Sequence, residues 1–424
     1  MHGVTRACCL LAFGIAALTL RAQPAPRSWV DPETGHRVIQ LSEDVNTASL
    51  YFTQYAYCAS GTKVIMVTRE EIMLVTLATG QIEHLYKGSN FRVIQAGAKS
   101  GKIYFLTADT LFVLDADSRQ VRRIAGLPAA ARLSTINVDE TTAAGSFEDR
   151  PDRRPLEPPF PEPGERTYGP SGVQLGNDDF PGKIEMMESR FRLRRPTTLF
   201  KLDLQSGVLT PVLKTEDWLN HIQFSPTDPN LVSVCHEGPW WMVDRIWTLR
   251  LDEVSTPQLV HRRTMQMEIA NHEFWSSDGQ WLWYDLETPM NEDFWLAGYN
   301  VRDSRRIWYH LTLDQWSIHY NQSPDGRLFC GDGGEPGHLG PQPPHSKWIY
   351  LFHPEGLPES SGAAGGDRLI RVGRLRTERL VSLARHDYSE EPNANFTPDG
   401  KWIVFRSNMR GPIGVYAVEV ALAK

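Results

Sequence analysis

The chain has 424 residues, with 44 Lys and Arg against 51 Asp and Glu, a formal charge of −7, and 13 tryptophans. This acidic balance, with a pI near 6.0, argues against a protein that grips nucleic-acid phosphates. An apolar fraction of 41% and a mean hydropathy of −0.37 exclude a disordered chain and a polytopic membrane protein.

The first element is an export signal over residues 1–22. Arg6 precedes an apolar run, Ala7 to Leu20, and Leu20-Arg21-Ala22 ends on a small residue. The run is too short to span a bilayer, so the expected product is periplasmic or secreted, with no stable membrane insertion after cleavage. Cleavage leaves Cys58, Cys235 and Cys330. These cannot form a fully paired framework and read as small buried hydrophobes.

Residues 23–424 are expected to form one domain built on a recurring pattern. Its clearest copies are Trp275-Ser-Ser-Asp-Gly-Gln-Trp281, Gln322-Ser-Pro-Asp-Gly-Arg-Leu328 and Phe396-Thr-Pro-Asp-Gly-Lys-Trp402, each leading into an alternating apolar strand. Asp-Gly supplies the positive φ of a hairpin turn. Taking Gly61, Gly101, Gly145, Asp228, Gly279, Gly326 and Gly400 as markers gives steps of 40, 44, 83, 51, 47 and 74 residues. The short steps suit one four-stranded blade each. The fold class expected is all-β, a seven-bladed β-propeller. The first long step holds an insertion at about 147–195, rich in proline and charge, in which Lys183 to Arg192 has the makings of a short helix. Twelve of the tryptophans lie beyond residue 217, so the second half of the ring is expected to carry most of the site, with the insertion closing over it.

The densest polar and aromatic cluster is Cys235-His-Glu-Gly-Pro-Trp-Trp-Met-Val-Asp-Arg-Ile-Trp247. It reads equally as a tight connection with a buried ion pair between Glu237 or Asp244 and Arg245. One repeat later comes Asn271-His-Glu-Phe-Trp275. His221, His272, Glu391 and Asn393 fall at comparable places before the inner strands of different blades. A propeller assembles a central site in that way.

These segments carry a resemblance. With Tyr51-Phe-Thr-Gln54 and Leu328-Phe-Cys-Gly-Asp-Gly333, the His-Glu-Gly-Pro and His-Glu-Phe-Trp segments resemble those of the oligogalacturonate lyases, seven-bladed propeller enzymes. The resemblance implies β-elimination on short α-1,4-linked galacturonate chains, yielding 4,5-unsaturated uronates. It implies an acidic oligosaccharide partner and a divalent metal, Mn²⁺, with Ca²⁺ as the alternative. Carried over by position, it makes His221 the base and His272 a metal ligand. It replaces the two last-blade histidines of the family with Glu391 and Asn393, and its glutamine with Tyr388. The family's assisting arginine falls at Thr198, with Arg195 as the nearest substitute. The expected catalytic set is thus His221, Arg195 and His236; the substrate-binding set Arg245, Trp240, Glu237 and Trp275; the metal set His272, Glu391 and Asn393. The competing readings are a lyase for another uronate, a binding propeller without catalysis and a glycoside hydrolase using paired carboxylates. A peptidase propeller is disfavoured, because no Gly-x-Ser-x-Gly elbow occurs.

Overall fold

The computed structural model describes residues 28–42, 46–149, 183–334, 347–357 and 369–423. The segment read as an export signal, Cys8, Cys9 and most of the proline-rich insertion lie outside the described residues. Among the described residues, no helix is long and apolar enough to cross a membrane.

Seven blades follow one another around the ring. The first four have inner strands Tyr57–Cys58, Phe91–Ala96, Arg132–Ile136 and Trp218–Phe224, each followed outward by three antiparallel strands. Blades five and six begin with Ile269–Trp275 and Tyr320–Gln322. Their outer strands, Arg306–Leu311 and Arg371–Ser382, pair in parallel, so these two blades form one eight-stranded sheet. The seventh blade is shared between the chain ends. Asn395–Phe396, Trp402–Ser407 and Gly414–Leu422 are completed by His36–Gln40, with Ser28–Val30 beyond it.

The repeat sequence explains the hairpins. In Ser/Thr-x-Asp-Gly the hydroxyl donates to the Asp carboxylate at 2.6 Å in all three clear copies: Ser276 to Asp278, Ser323 to Asp325, Thr397 to Asp399. The same hydroxyl accepts from the backbone N–H that opens the next strand. Gly279, Gly326 and Gly400 have φ of 66°, 74° and 69°, which a β-carbon would disfavour. One marker is displaced. Gly145 lies inside the strand Thr142–Glu148, where a β-carbon would collide with Arg132 O and the Phe200 ring. The turn of blade three is Asp139-Glu140, with Glu140 at φ 56°.

Inner strands are laced to their neighbours by side-chain amides and hydroxyls. Gln54 donates to Ile94 O (2.6 Å), Gln95 to Ile136 O (3.1 Å) and Gln223 to Glu273 O (2.7 Å). Asn321 accepts from Phe396 N, and Asn395 accepts from Tyr57 OH at 2.6 Å, which joins blade seven to blade one. Cys58, Cys235 and Cys330 are buried thiols. The core consists of apolar faces between blades, the largest cluster lying where blades five, six and seven meet.

The insertion leaves blade three after Glu148 and returns before Thr197, and its ends meet through Asp149 N to Pro196 O (2.9 Å). Its described part is the helix Lys183–Leu193, with Arg192 on Glu188 one turn back.

Candidate active site

Two backbone irregularities build the site. The pairing of Trp218–Phe224 with its neighbour slips between Asn220 and Gln223. That of Ile269–Trp275 slips at the same place one blade on, between Asn271 and Phe274. At these bulges His221 and His272 take φ of 44° and 45°, a left-handed conformation uncommon outside glycine. A bulge re-aims a side chain. Here it turns two histidines, each preceded by asparagine, into one cavity of about 350 Å³. The histidines therefore sit within the inner strands, not ahead of them.

Beside His221 lies the Glu237 carboxylate, 3.5 Å from Nε2. Glu237 also takes a 2.7 Å bond from Arg245, with both side chains buried. Burial pushes the Glu237 carboxyl up, but Arg245 and His221 together hold it well below the usual carboxylate range. Burial opposes the charge of Arg245 as well, yet its anionic neighbours, Glu237 foremost among the carboxylates, keep it raised. The two readings of this cluster are therefore one structure: the buried pair is also a wall of the cavity. Asp244 is engaged elsewhere, on Arg263 (3.1 Å).

His272 places Nδ1 3.0 Å from Asp285 and leaves a quarter of its side chain exposed. Burial disfavours its charged form, but Asp285 and Glu391 outweigh this and raise its pKa. Glu273 is raised by burial, and Tyr51, also lining the cavity, is held firmly protonated by burial and by Glu391, Glu273, Asp332 and Glu237. The helix of the insertion contributes Met186 and Met187. Arg190 ties the helix down through Glu148 and lies 3.4 Å from the centroid of Trp218, another lining residue.

The cavity thus gathers His221, Glu237, Arg245, Trp240, His272 and Glu391. The other expected site residues lie elsewhere. His236, one position before Glu237 on its strand, faces the opposite side, 3.5 Å from Asp217. Burial lowers its pKa. Arg195 is not in the lining and pairs with Glu148 at 3.5 Å. Trp275 lines a second cavity, bordered by Asn395 and Pro398, and donates to Gln223 O. Asn393 is fully buried with both amide atoms engaged: Oδ1 accepts from Phe52 N (3.2 Å) and Nδ2 donates to Glu391 O (2.9 Å). It does not line the cavity. Among the described residues, no group of three or more His, Cys, Asp or Glu side chains is gathered closely enough to hold a metal ion.

Sequence reasoning missed Tyr51 as a wall, Arg190 and His319. Tyr51 stood in a segment already singled out, and Arg190 in the helix. His319 precedes an Asp-Gly turn by six residues, a weak signal, and packs against Phe52 and His272 from other parts of the ring.

A family model for oligogalacturonate lyases matches residues 178–342. The resemblance is to the oligogalacturonate lyases. The oligogalacturonate lyase of Dickeya dadantii is 28% identical over 265 residues, 59% of this chain and 62% of that one. The oligogalacturonide lyase of Pectobacterium atrosepticum is 26% identical over 275 residues, with the same coverage. The match to this chain therefore spans about three-fifths of the length of these relatives. In fold, the chain is similar to an oligogalacturonate lyase in complex with manganese, with a TM-score of 0.71, 19% identity, and 93% of this chain and 96% of that one covered. The Vibrio parahaemolyticus oligogalacturonate lyase gives 0.72 at 18% identity, with the same coverage. These likenesses support the seven-bladed ring.

Proposed function

We propose that this protein is an oligogalacturonate lyase, cleaving short α-1,4-linked galacturonate chains by β-elimination. The observation that carries the reading is the pair of matched bulges that turn His221 and His272 into one cavity beside the Glu237–Arg245 pair. Elimination removes H5 as a proton and breaks the C4–O4 bond; a C4–C5 double bond forms and the departing O4 takes up a proton. His221 is the base: its side chain is 39% exposed to the cavity, and the ionised Glu237 at Nε2 stabilises the imidazolium formed on proton uptake. Arg245 keeps Glu237 ionised. Met186, Met187 and Trp240 exclude water and offer apolar faces to the sugar ring.

The lining sets Glu237, Glu273 and Glu391 against one guanidinium, Arg245. Such a wall repels a uronate carboxylate unless a cation intervenes, which supports a divalent metal, Mn²⁺ in this reading. When bound, that ion neutralises the substrate carboxylate and so acidifies H5. His272 and Glu391 are the residues from the expected set that fit such a role. We further propose export, on the strength of the apolar segment that follows Arg6.

The test is to incubate the mature protein with oligogalacturonate and Mn²⁺ and follow the ultraviolet absorbance of the conjugated product. Absence of signal on any uronate oligomer would overturn the reading. His221→Ala is expected to lower kcat by about 10²–10⁴-fold; full activity in that variant would remove the base assignment.

A further inference from the structure

We propose that the second cavity, at the end of the ring's central channel opposite His221 and His272, is a binding site for a neutral saccharide. Its place follows from the strands. The first cavity takes Trp218, Asn220 and His221 from the start of the blade-four inner strand. The second takes Phe224 from the end of that strand, and Ser225 and Pro226 from the turn beyond. All seven blades contribute in this way, each with the end of its inner strand or the turn that follows. Phe52 packs on Phe274 (ring centroids 6.2 Å apart) and on His319 (4.5 Å). It is buried, lines both cavities and parts them. The second cavity has a volume of about 390 Å³, within the range of about 300–1,000 Å³ that small-molecule sites occupy.

The lining decides the ligand class. The first cavity gathers Glu237, Glu273, Glu391 and Arg245, whereas among the described residues no Asp, Glu, Lys, Arg or His lines the second. A charged ligand would be desolvated there without a counter-charge, so the occupant is neutral. Part of the amide lining is spent on lacing the blades, as at Gln54, Gln95 and Asn395. Four polar groups of lining residues have no protein partner among the described residues: Tyr55 OH, Gln223 Oε1, Asn321 Nδ2 and Gln322 Oε1. The last of these is buried as well, and a buried acceptor without a donor points to a ligand that supplies one. Burial raises the pKa of Tyr55, so its hydroxyl stays protonated. Two acceptors, one donor and one hydroxyl able to act as either match the hydroxyls of a sugar, which both donate and accept. Trp275 is anchored through Nε1 on Gln223 O (3.3 Å), and Tyr55 stands edge-on to Tyr57 with centroids 5.9 Å apart. These two held rings supply the aromatic surface on which the C–H face of a sugar packs.

This inference uses no part of the lyase reading, and its test needs no turnover. Purified protein is titrated with galactose, glucose and cellobiose, and binding is read by calorimetry and by saturation-transfer nuclear magnetic resonance. At least one of the three is expected to bind at a single site. Galacturonate, the acid counterpart of galactose, is expected not to displace it, and His221→Ala to leave the affinity unchanged. Trp275→Ala is expected to weaken binding at least about tenfold. Ala98→Trp, a change at an exposed position on the rim of the cavity, is expected to abolish it. No binding of any of the three sugars to the wild type would overturn the proposal. So would displacement by galacturonate, or an affinity unchanged in Ala98→Trp, and none of these readouts depends on the Trp275 variant folding. Neutral-sugar binding without uronate elimination would keep this site and sink the lyase reading, and elimination without neutral-sugar binding would do the reverse.

Discussion

Glu237 serves stability and chemistry with one carboxylate, so its neighbours can be told apart by what their loss does. Arg245→Ala strands Glu237 as a buried, unpaired charge and is expected to cost about 3–5 kcal/mol of stability, read by denaturant unfolding. Glu237 is depressed in the folded state. Its contribution is therefore present above the unfolded carboxylate pKa of about 4.3 and is lost as pH falls through the folded value. Glu287 has the opposite sign. Fully buried, it is pushed up to about 8, chiefly by desolvation and also by Asp285. Its contribution is complete below about pH 4.3 and is lost as pH rises through about 8. In metal-free protein, Glu287→Gln is expected to flatten the decline of Tm between pH 5 and 8. An unchanged slope would show that Glu287 is ionised at neutral pH. The identities of these residues stood in the sequence. Their pKa directions did not, because desolvation depends on neighbours brought from other blades.

At the scale of the element, strand register decides which residues matter. His236 and Glu237 are adjacent in sequence, yet alternation along Leu231–Glu237 sends one to Asp217 and the other into the cavity. The repeat markers fell on the turn between the first two strands of every blade but one: in blade three Asp139-Glu140 makes that turn, and Gly145 is a strand glycine kept small by Arg132 O and Phe200. Gly145→Leu is expected to destabilise the protein by at least about 1–3 kcal/mol through overpacking, whereas the same change at Gly356, where a β-carbon meets nothing, should be nearly neutral. Thermal denaturation of the two variants compares them directly. The helical reading of Lys183 to Arg192 agrees with the helix Lys183–Leu193; that Met186 and Met187 wall the cavity followed only from where the two ends of the insertion meet.

At the scale of the whole molecule, the ring closes through strands from opposite ends of the chain. His36–Gln40 pairs with Gly414–Leu422, and His36 also reaches Glu378 in blade six at 3.1 Å. Deleting the chain through Gln40 would leave Gly414–Leu422 as an open apolar edge. That truncation is expected to lower Tm and raise light scattering, and a monodisperse variant with unchanged Tm would refute the closure. The skew of tryptophans toward the second half divides on the same scale. Trp283 packs between Trp281, Tyr309 and Phe329 in the core where blades five and six meet, while Trp218, Trp240 and Trp316 line the cavity.

The sequence by itself determined the number of blades, the turns that punctuate them and the two His-Glu segments, because hairpin chemistry and strand alternation act over a few neighbouring residues. It also carried the resemblance to the lyases, since that lies in contiguous motifs. Only the tertiary structure decided which residues meet. A propeller centre draws one or two side chains from each blade, and whether a histidine there has a free nitrogen depends on carboxylates and amides from blades far along the chain. That is why Asn393, read as a ligand, is buried on Phe52 N and Glu391 O, outside the cavity lining, and why His319, unremarked in its own segment, lies beside His272 and Glu391.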